Sequence, residues 1–539
     1  MKRIVSLFLC LILLLSVTGC GGSVHGKRDL SIAISGPPMT MDVQMVTDVT
    51  SGRITSLFAG TLFRYNKEDD LELYLAKSYE RSADGLKYTF QLRDGLKWSD
   101  GRPLTAKDFV YGMRRLADPD TGSNAIYLIT DSCVIKNVKK VAGGEMEPEE
   151  LGVSAPDDMT VVYELESPCP YFESLLSTIT FAPCNEEFVR ECKDAYAISD
   201  DELLSCGPYM VDSYEPLSTQ IHFVRNPYSI DDSDTYPEEI NIQVVPNAQQ
   251  AIMCYDTGQF DVVNISSTMM DFVKDHPDLK TIETANYCYL QIGDRGDTPI
   301  DNIHIRRAIS LSIDRESIVR DLLKAGAEPC GRINPKGYYK ETDGTDFSKD
   351  DDRYSDVASY DPETARSEWK TGLSEINAST VELDLSYNST SSALCEVIKQ
   401  QCEKTLDGLT INLVPLQVKE YYATKAKSQY DLTLSIWVAD YADPNTFFMC
   451  YISGANGEKG YSNTEVDKLL AKSLSKELVN DPGKRNQILH QTEDALMQDV
   501  ASVPLYSMKE AFLTNSIYSD FDLTPTGIMY LIGGLERRS

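Results

Sequence analysis

The chain has 539 residues and a formal net charge of −32 at pH 7, an acidity that argues against nucleic acid as a partner. With 42% hydrophobic residues it can bury large cores, and at this length it is expected to form two or three lobes. After the first few residues no apolar run approaches membrane-spanning length.

Met1-Lys2-Arg3 is a short cationic start, residues 4–17 are an apolar run, and Val17-Thr18-Gly19-Cys20 ends it with small residues before a cysteine. The run is too short for a transmembrane helix of about 20 residues, which favours a cleaved leader. The pattern resembles the lipobox of bacterial lipoproteins, which implies cleavage before Cys20 and a lipid on its thiol and new amino group. Several acyl chains on one cysteine would hold the protein stably at a membrane surface, with polar, glycine-bearing residues 21–27 as a tether. Loss of residues 1–19 removes Lys2 and Arg3 and no acid, taking the formal charge from −32 to −34. Of thirteen cysteines, Cys10 would leave with the leader and Cys20 would carry the lipid, so eleven remain and cannot all pair. Cys184 with Cys192, or Cys395 with Cys402, are close in sequence, but most read as small buried hydrophobes.

Leu30, Ile32 and Ile34 alternate with smaller residues in a first strand that ends at Gly36-Pro37-Pro38, and residues 53–65 read as a helix turning into an extended segment. Asp84-Gly85 is a hairpin turn signal, after which Leu86, Tyr88, Phe90 and Leu92 alternate as a strand. Thr105 with Asp108 makes a capping-box start, and Phe109, Val110, Met113 and Leu116 mark the apolar face of a helix ending at Asp118-Pro119. Residues 306–313 read as a further helix. Asp314 is the expected cap of the next, with Ile318, Val319, Leu322 and Leu323 inward and Gly326 as its stop. Residues 330–359, acidic and without apolar periodicity, read as a surface loop. Strand patterns at 381–385, 409–415 and 430–438 alternate with helical stretches at 392–406 and 418–427, a βαβαβ unit with parallel strands. Two more helices, near 466–478 and 483–500, precede a last segment at 503–512.

The third strand of that unit leads into a cluster of acids and aromatics. Leu432, Leu434, Ile436 and Val438 alternate with Asp431, Thr433, Ser435 and Trp437, as in a half-buried strand, and then Asp440, Tyr441 and Asp443-Pro444 follow. Acids just beyond the carboxyl end of a strand lie where open α/β sheets hold ligands. Asp443-Pro444 reads as a helix start with the aspartate as cap. Asp440 has no capping role in view, and beside Trp437 it is free for a cationic ligand group.

The run AKSYERSADGLKYTFQLRDGLKWSDGRPLTAKDFVYGMRRLADP, followed in order by CGPYMV, VRNPY, YDTGQFDVV, RRAISLSIDRESI, YDPETAR, WVADYADP and VPLYS, resembles the solute-binding proteins of peptide-type ABC transporters, extracellular family 5. The resemblance spans essentially the whole chain after the leader. It implies an α/β fold of the periplasmic-binding-protein type II: two lobes around a cleft, plus an extra α+β lobe. Mapped onto this chain, it places the leader at 1–19, a lipidated tether at 20–28, lobe I at 29–75 and 184–290, the extra lobe at 76–183, lobe II at 291–500, and a return to lobe I at 501–539. The implied function is a lipid-anchored receptor on the outer face of the cell membrane, a monomer without cofactor or metal, which hands peptides to ABC permease subunits. Relatives that bind nickel complexes, haem, sugars or opines, and a peptide-sensing signalling role, are the alternatives. In members with W-x-x-D-Y the aspartate takes the peptide's α-amino group and the tryptophan walls the cleft, roles that fall here on Asp440 and Trp437. Tyr441 and Tyr506 join them by proximity to motifs.

Two departures stand out. Some oligopeptide binders carry an arginine three residues before the tryptophan to meet the peptide's carboxylate, where this chain has Leu434, and Met41-Asp42-Val43 replaces the usual Leu-Asp-Pro. No phosphate-binding glycine loop, HExxH signature or GxSxG elbow occurs, and His25, His222, His276, His304 and His490 are scattered, so an enzyme is not the reading.

Overall fold

The computed structural model describes residues 29–532, apart from 217, 232–236, 267–268, 294, 297, 351, 429, 454–460 and 519. The leader, Cys20 and the tether lie outside the described residues. Twelve strands form the main sheet, numbered here in chain order: β1 Asp29–Ile34, β2 Tyr209–Ser213, β3 Gln220–Arg225, β4 Glu239–Val244, β5 Val262–Ile265, β6 Leu279–Glu283, β7 Asn286–Ile292, β8 Ala327–Pro329, β9 Val381–Asn388, β10 Leu409–Leu416, β11 Leu432–Val438 and β12 Ser502–Thr514. Their order is β10-β9-β11-β7-β12-β5-β1-β4-β3-β2, with β6 and β8 also paired to β12.

The sheet has two halves with separate cores. Leu30, Ile32, Leu57, Phe223, Ile240 and Phe512 pack in the first, and Leu290, Ile309, Leu383, Ile398, Leu432 and Leu505 in the second. β9, β10 and β11 are parallel, as the βαβαβ reading requires. β12 runs through both halves, pairing antiparallel with β7 and β8 at its start and with β5 and β6 at its end. The chain therefore passes between the halves along β12 and again from β6 to β7. Buried Asn286 ties the two passages together: its Nδ2 donates to Thr284 Oγ1 at 2.6 Å and to the Met508 carbonyl at 3.0 Å, and its Oδ1 accepts from Met508 N–H at 2.8 Å.

A third body carries its own antiparallel sheet, with strands Ala76–Arg81, Lys87–Leu92, Thr160–Glu164 and Val153–Asp157 side by side. The helix Ala106–Ala117 packs on it through Phe109, Met113 and Leu116, and the capping box of Thr105 and Asp108 forms as read.

Four local expectations change. The early helix is Val49–Phe58, capped by Asp48, so it ends before the extended segment rather than running into it. Asp314 caps Ser317 N–H, but the helix passes into a π-type turn over Ile318–Leu323, breaks at Lys324 with φ 61°, and ends in a 3-10 turn, Lys324–Gly326, at the expected glycine. Val319, Leu322 and Leu323 are only half-buried there. Residues 330–359 are not merely a surface loop, because Ile333, Tyr338, Phe347, Tyr354 and Val357 are buried and Arg332 forms a buried ion pair with Glu493. Those residues are pinned by bulk and charge, which leave no periodic trace. Finally, β11 is not half-buried by alternation: Thr433 and Ser435 are as enclosed as Leu432 and Leu434, while Ile436 is 43% exposed. The strand is interior at its start and emerges at its end.

Between Cys133 and Cys450 the described cysteines are all free, and nine of the eleven are buried, Cys192 and Cys254 being half-buried.

Candidate ligand-binding site

β11 is the element that builds the site. On one edge it pairs with β7 along its full length, from Leu432 opposite Ile292 to Val438 opposite Asn286. On the other edge β9 pairs with it only at Leu432 and Thr433. Beyond that point the Leu434 carbonyl accepts from the Tyr421 hydroxyl at 2.8 Å, and Ile436 to Val438 have no strand partner on this edge among the described residues. An unpaired strand edge is a template for another extended chain.

Asp440 stands just past the end of β11. Its backbone N–H donates to Thr446 Oγ1 at 3.1 Å, which fixes the turn, and its carbonyl accepts from Thr178 Oγ1 at 3.2 Å. The Tyr127 hydroxyl donates to Oδ1 at 2.6 Å. Oδ2 is sealed from solvent and has no hydrogen-bond partner among the described residues. Burial pushes this carboxyl up to about 7, against the opposing pull of the Tyr127 hydrogen bond. A buried carboxylate oxygen without a partner is costly, and a cation or donor brought to it would lower that cost. The same aspartate and burial hold the Tyr127 hydroxyl well above its usual range, so it stays a donor.

A narrow cavity beside Asp440 is walled by Tyr65, by Thr178, by Ile179 of the first half's core, and by Thr526, Ile528 and Met529 of a C-terminal hairpin tip. That tip is seated by the first half: the Gly527 carbonyl accepts from Arg53 Nε and Nη2, and Ile528 lies over Gly52, where a Cβ would approach its Cγ2 to 2.7 Å. Ser174 Oγ completes the junction, 2.7 Å from the Tyr65 hydroxyl and accepting from Ala442 N–H at 3.0 Å. A larger cavity of about 400 Å³ adjoins this one, sharing Tyr65, Ser177, Ile179 and Met529, and another of about 680 Å³ lies elsewhere; Asp440 lines neither. The orphaned acid, not the volume, marks this site.

The other expected residues take different places. Trp437 is half-buried opposite Tyr287, and its Nε1 is a buried donor without a partner among the described residues. Tyr441 is buried and stacks on Tyr171 with ring centroids 4.4 Å apart, so it joins the second half to the third body and backs the cavity. Tyr506 is a core residue of the second half, packed by Cys288, and does not wall the cavity. Asp443 accepts from Asn445 N–H at 2.9 Å, a capping contact, but it is also buried and held bidentate by Arg485 at 2.6 and 2.8 Å. Burial alone would pull the Arg485 guanidinium down; the ion pair outweighs it and holds the group charged. His222, His276, His304 and His490 each sit against a carboxylate, and no three potential metal ligands cluster among the described residues. Sequence reading missed Tyr127, Thr178 and the hairpin tip, which reach Asp440 only through tertiary folding.

The family model of the bacterial extracellular solute-binding proteins, family 5, matches residues 70–459. The chain is 28% identical over 533 residues to a dipeptide-binding protein of Lactococcus lactis, covering 95% of each chain, and 27% identical over 553 residues to the oligopeptide-binding protein OppA of Bacillus subtilis, covering 98% of each. Among solved structures, Listeria monocytogenes OppA bound to peptide superposes with a TM-score of 0.80 at 29% identity, over 95% of this chain and 100% of that one. The pheromone receptor PrgZ, whose mode of peptide binding has been solved, superposes with a TM-score of 0.81 at 26% identity, again over 95% and 100%.

Proposed function

Because the chain belongs to the bacterial extracellular solute-binding proteins, family 5, we propose that it binds peptides between its lobes and delivers them to the permease of an ABC importer. The observation that carries the peptide reading is the orphaned Oδ2 of Asp440, at the end of a strand with a free edge. A peptide laid along Ile436 to Val438 gains main-chain hydrogen bonds that do not depend on its sequence. Its α-ammonium then meets Asp440, and Trp437 flanks it with an unused N–H donor. The names of the relatives, which bind dipeptides and oligopeptides, support the same ligand class. The residues form a binding constellation: among the described residues no nucleophile, base and orienting group stand together at Asp440. Cys20 would carry the lipid that holds the receptor at the outer face of the membrane.

The test is calorimetry of detergent-solubilised full-length protein with tri- to pentapeptides of alanine. Truncating one partner of a desolvated charge pair costs about 2 to 5 kcal/mol, so Asp440→Asn is expected to weaken binding about 30-fold or more without loss of fold. Unchanged affinity in Asp440→Asn removes Asp440 from the site.

A further inference from the structure

The ligand's other end is open at this point, because Leu434, where some oligopeptide binders carry an arginine, turns into the core and is 6% exposed. A different cation stands at the same level of the strand. Lys425 lies on the crossover helix Val418–Lys427 that delivers β11. One turn earlier on that helix, Tyr421 holds the Leu434 carbonyl, and Lys425 Nζ donates to Ser435 Oγ at 2.5 Å. The helix therefore covers the edge of β11 up to Ser435, and Lys425 marks where the unpaired part begins.

Lys425 is half-buried, and its polar contact among the described residues is with Ser435. In this chain acids outnumber Lys and Arg 83 to 51, and buried or half-buried Arg295, Arg306, Arg332 and Arg485 have carboxylate partners, whereas buried Arg315 is held by the Pro504 and Ser310 carbonyls. An ammonium has three donors and Ser435 takes one, so two remain for an acceptor. Val418 and Tyr422, 53% and 63% exposed, flank Lys425 on the same helix face and leave an apolar shelf beside it.

We propose that Lys425 receives a carboxylate of the bound peptide, an assignment that rests on the peptide reading above. From Ser435 to Val438 the strand advances three residues, roughly 10 Å at about 3.3 Å each, before the turn that carries Asp440. A ligand running antiparallel to β11, with its ammonium on Asp440 and its carboxylate on Lys425, is then about three to five residues long. The carboxylate can come from the ligand's C-terminus or from an acidic side chain near it.

The experiment compares tetra-alanine, tetra-alanine amide and Ala-Ala-Glu-Ala amide on wild-type, Lys425→Gln and Lys425→Arg protein, each checked by thermal melting. Wild type is expected to bind one of the two carboxylate-bearing peptides about tenfold or more tighter than tetra-alanine amide. Lys425→Gln should abolish that preference and Lys425→Arg keep it; the peptide that shows it identifies the source of the carboxylate. The same preference in wild type and Lys425→Gln overturns the assignment. If Asp440→Asn still loses binding in that case, Lys425 alone is wrong; if wild type binds none of the three, the peptide reading fails with it.

Discussion

If Asp440 holds the ligand's ammonium, peptide binding depends on pH with a sign set by the burial of that carboxyl. Its carboxyl is raised from 3.8 to about 7 by burial, so it is protonated, and unable to hold an ammonium, over much of the mildly acidic range. If only the ionised form binds, affinity is level above pH 7 and falls tenfold per unit below it, on the order of 100-fold by pH 5. A free α-amino group loses its proton near pH 8, so the optimum is confined to about pH 7 to 8. Stability gives an independent reading. Because the folded carboxyl titrates above the unfolded one, there is no penalty below about pH 4. The empty protein loses stability as pH rises from there, and the loss levels off above pH 7. A shift of roughly three units corresponds to about 4 kcal/mol. Asp440→Asn should therefore melt higher than wild type at pH 8 in the absence of ligand, and the gap should shrink toward pH 4. Calorimetry in two buffers of different ionisation heat should detect close to one proton released when peptide binds at pH 6, and none in Asp440→Asn. A pH-independent affinity between 5 and 8, or an Asp440→Asn variant that melts lower than wild type at pH 8, refutes the reasoning.

Tyr127→Phe removes the hydrogen bond that opposes the effect of burial on Asp440. The carboxyl then titrates higher, and the acid limb of the affinity profile should move up in pH, with affinity at pH 7 falling about tenfold; an unmoved midpoint counts against the coupling. Arg485→Met leaves Asp443 buried and unpaired, and denaturant unfolding is expected to show a loss of about 3 to 5 kcal/mol. A loss below about 1 kcal/mol would mean that Asp443 acts as a helix cap and little else.

Much of this arrangement was legible because its signals are local. The parallel order of β9, β10 and β11 follows from alternating strand and helix patterns, and the capping box before Ala106 needs only Thr105 and Asp108. The place of Asp440 could also be read, since the strand pattern stops at Val438. What could not be read depends on contacts between distant segments. Tyr127 lies 313 residues from Asp440, in a stretch without a periodic pattern, and the hairpin tip carrying Thr526 and Met529 is positioned by Arg53 and Gly52. Asp443 looked complete as a cap because Pro444 follows it, yet its ion-pair partner, Arg485, is a single charge on a distant helix. Tyr506 shows the converse, because proximity to a motif does not expose a side chain, and this one is in the core of the second half.

If the two halves move apart, the three bodies around Asp440 connect that movement with binding. The carboxylate is dehydrated because Tyr127 of the third body, Thr178 and the hairpin tip of the first half stand against the end of a strand from the second half. Separating the halves about the passages that Asn286 ties together would return water to Oδ2 and remove the penalty. At pH 8 an empty, enclosed Asp440 therefore carries a cost of up to about 4 kcal/mol that an open one does not, a bias of roughly a thousandfold toward opening. A ligand ammonium on Oδ2 cancels that cost and no other group among the described residues does, so on this reading enclosure without ligand is disfavoured by the same acid that recognises the ligand. A permease that responds to the enclosed form would then be presented mainly with loaded receptor, and the discrimination would weaken as Asp440 takes up a proton below pH 7.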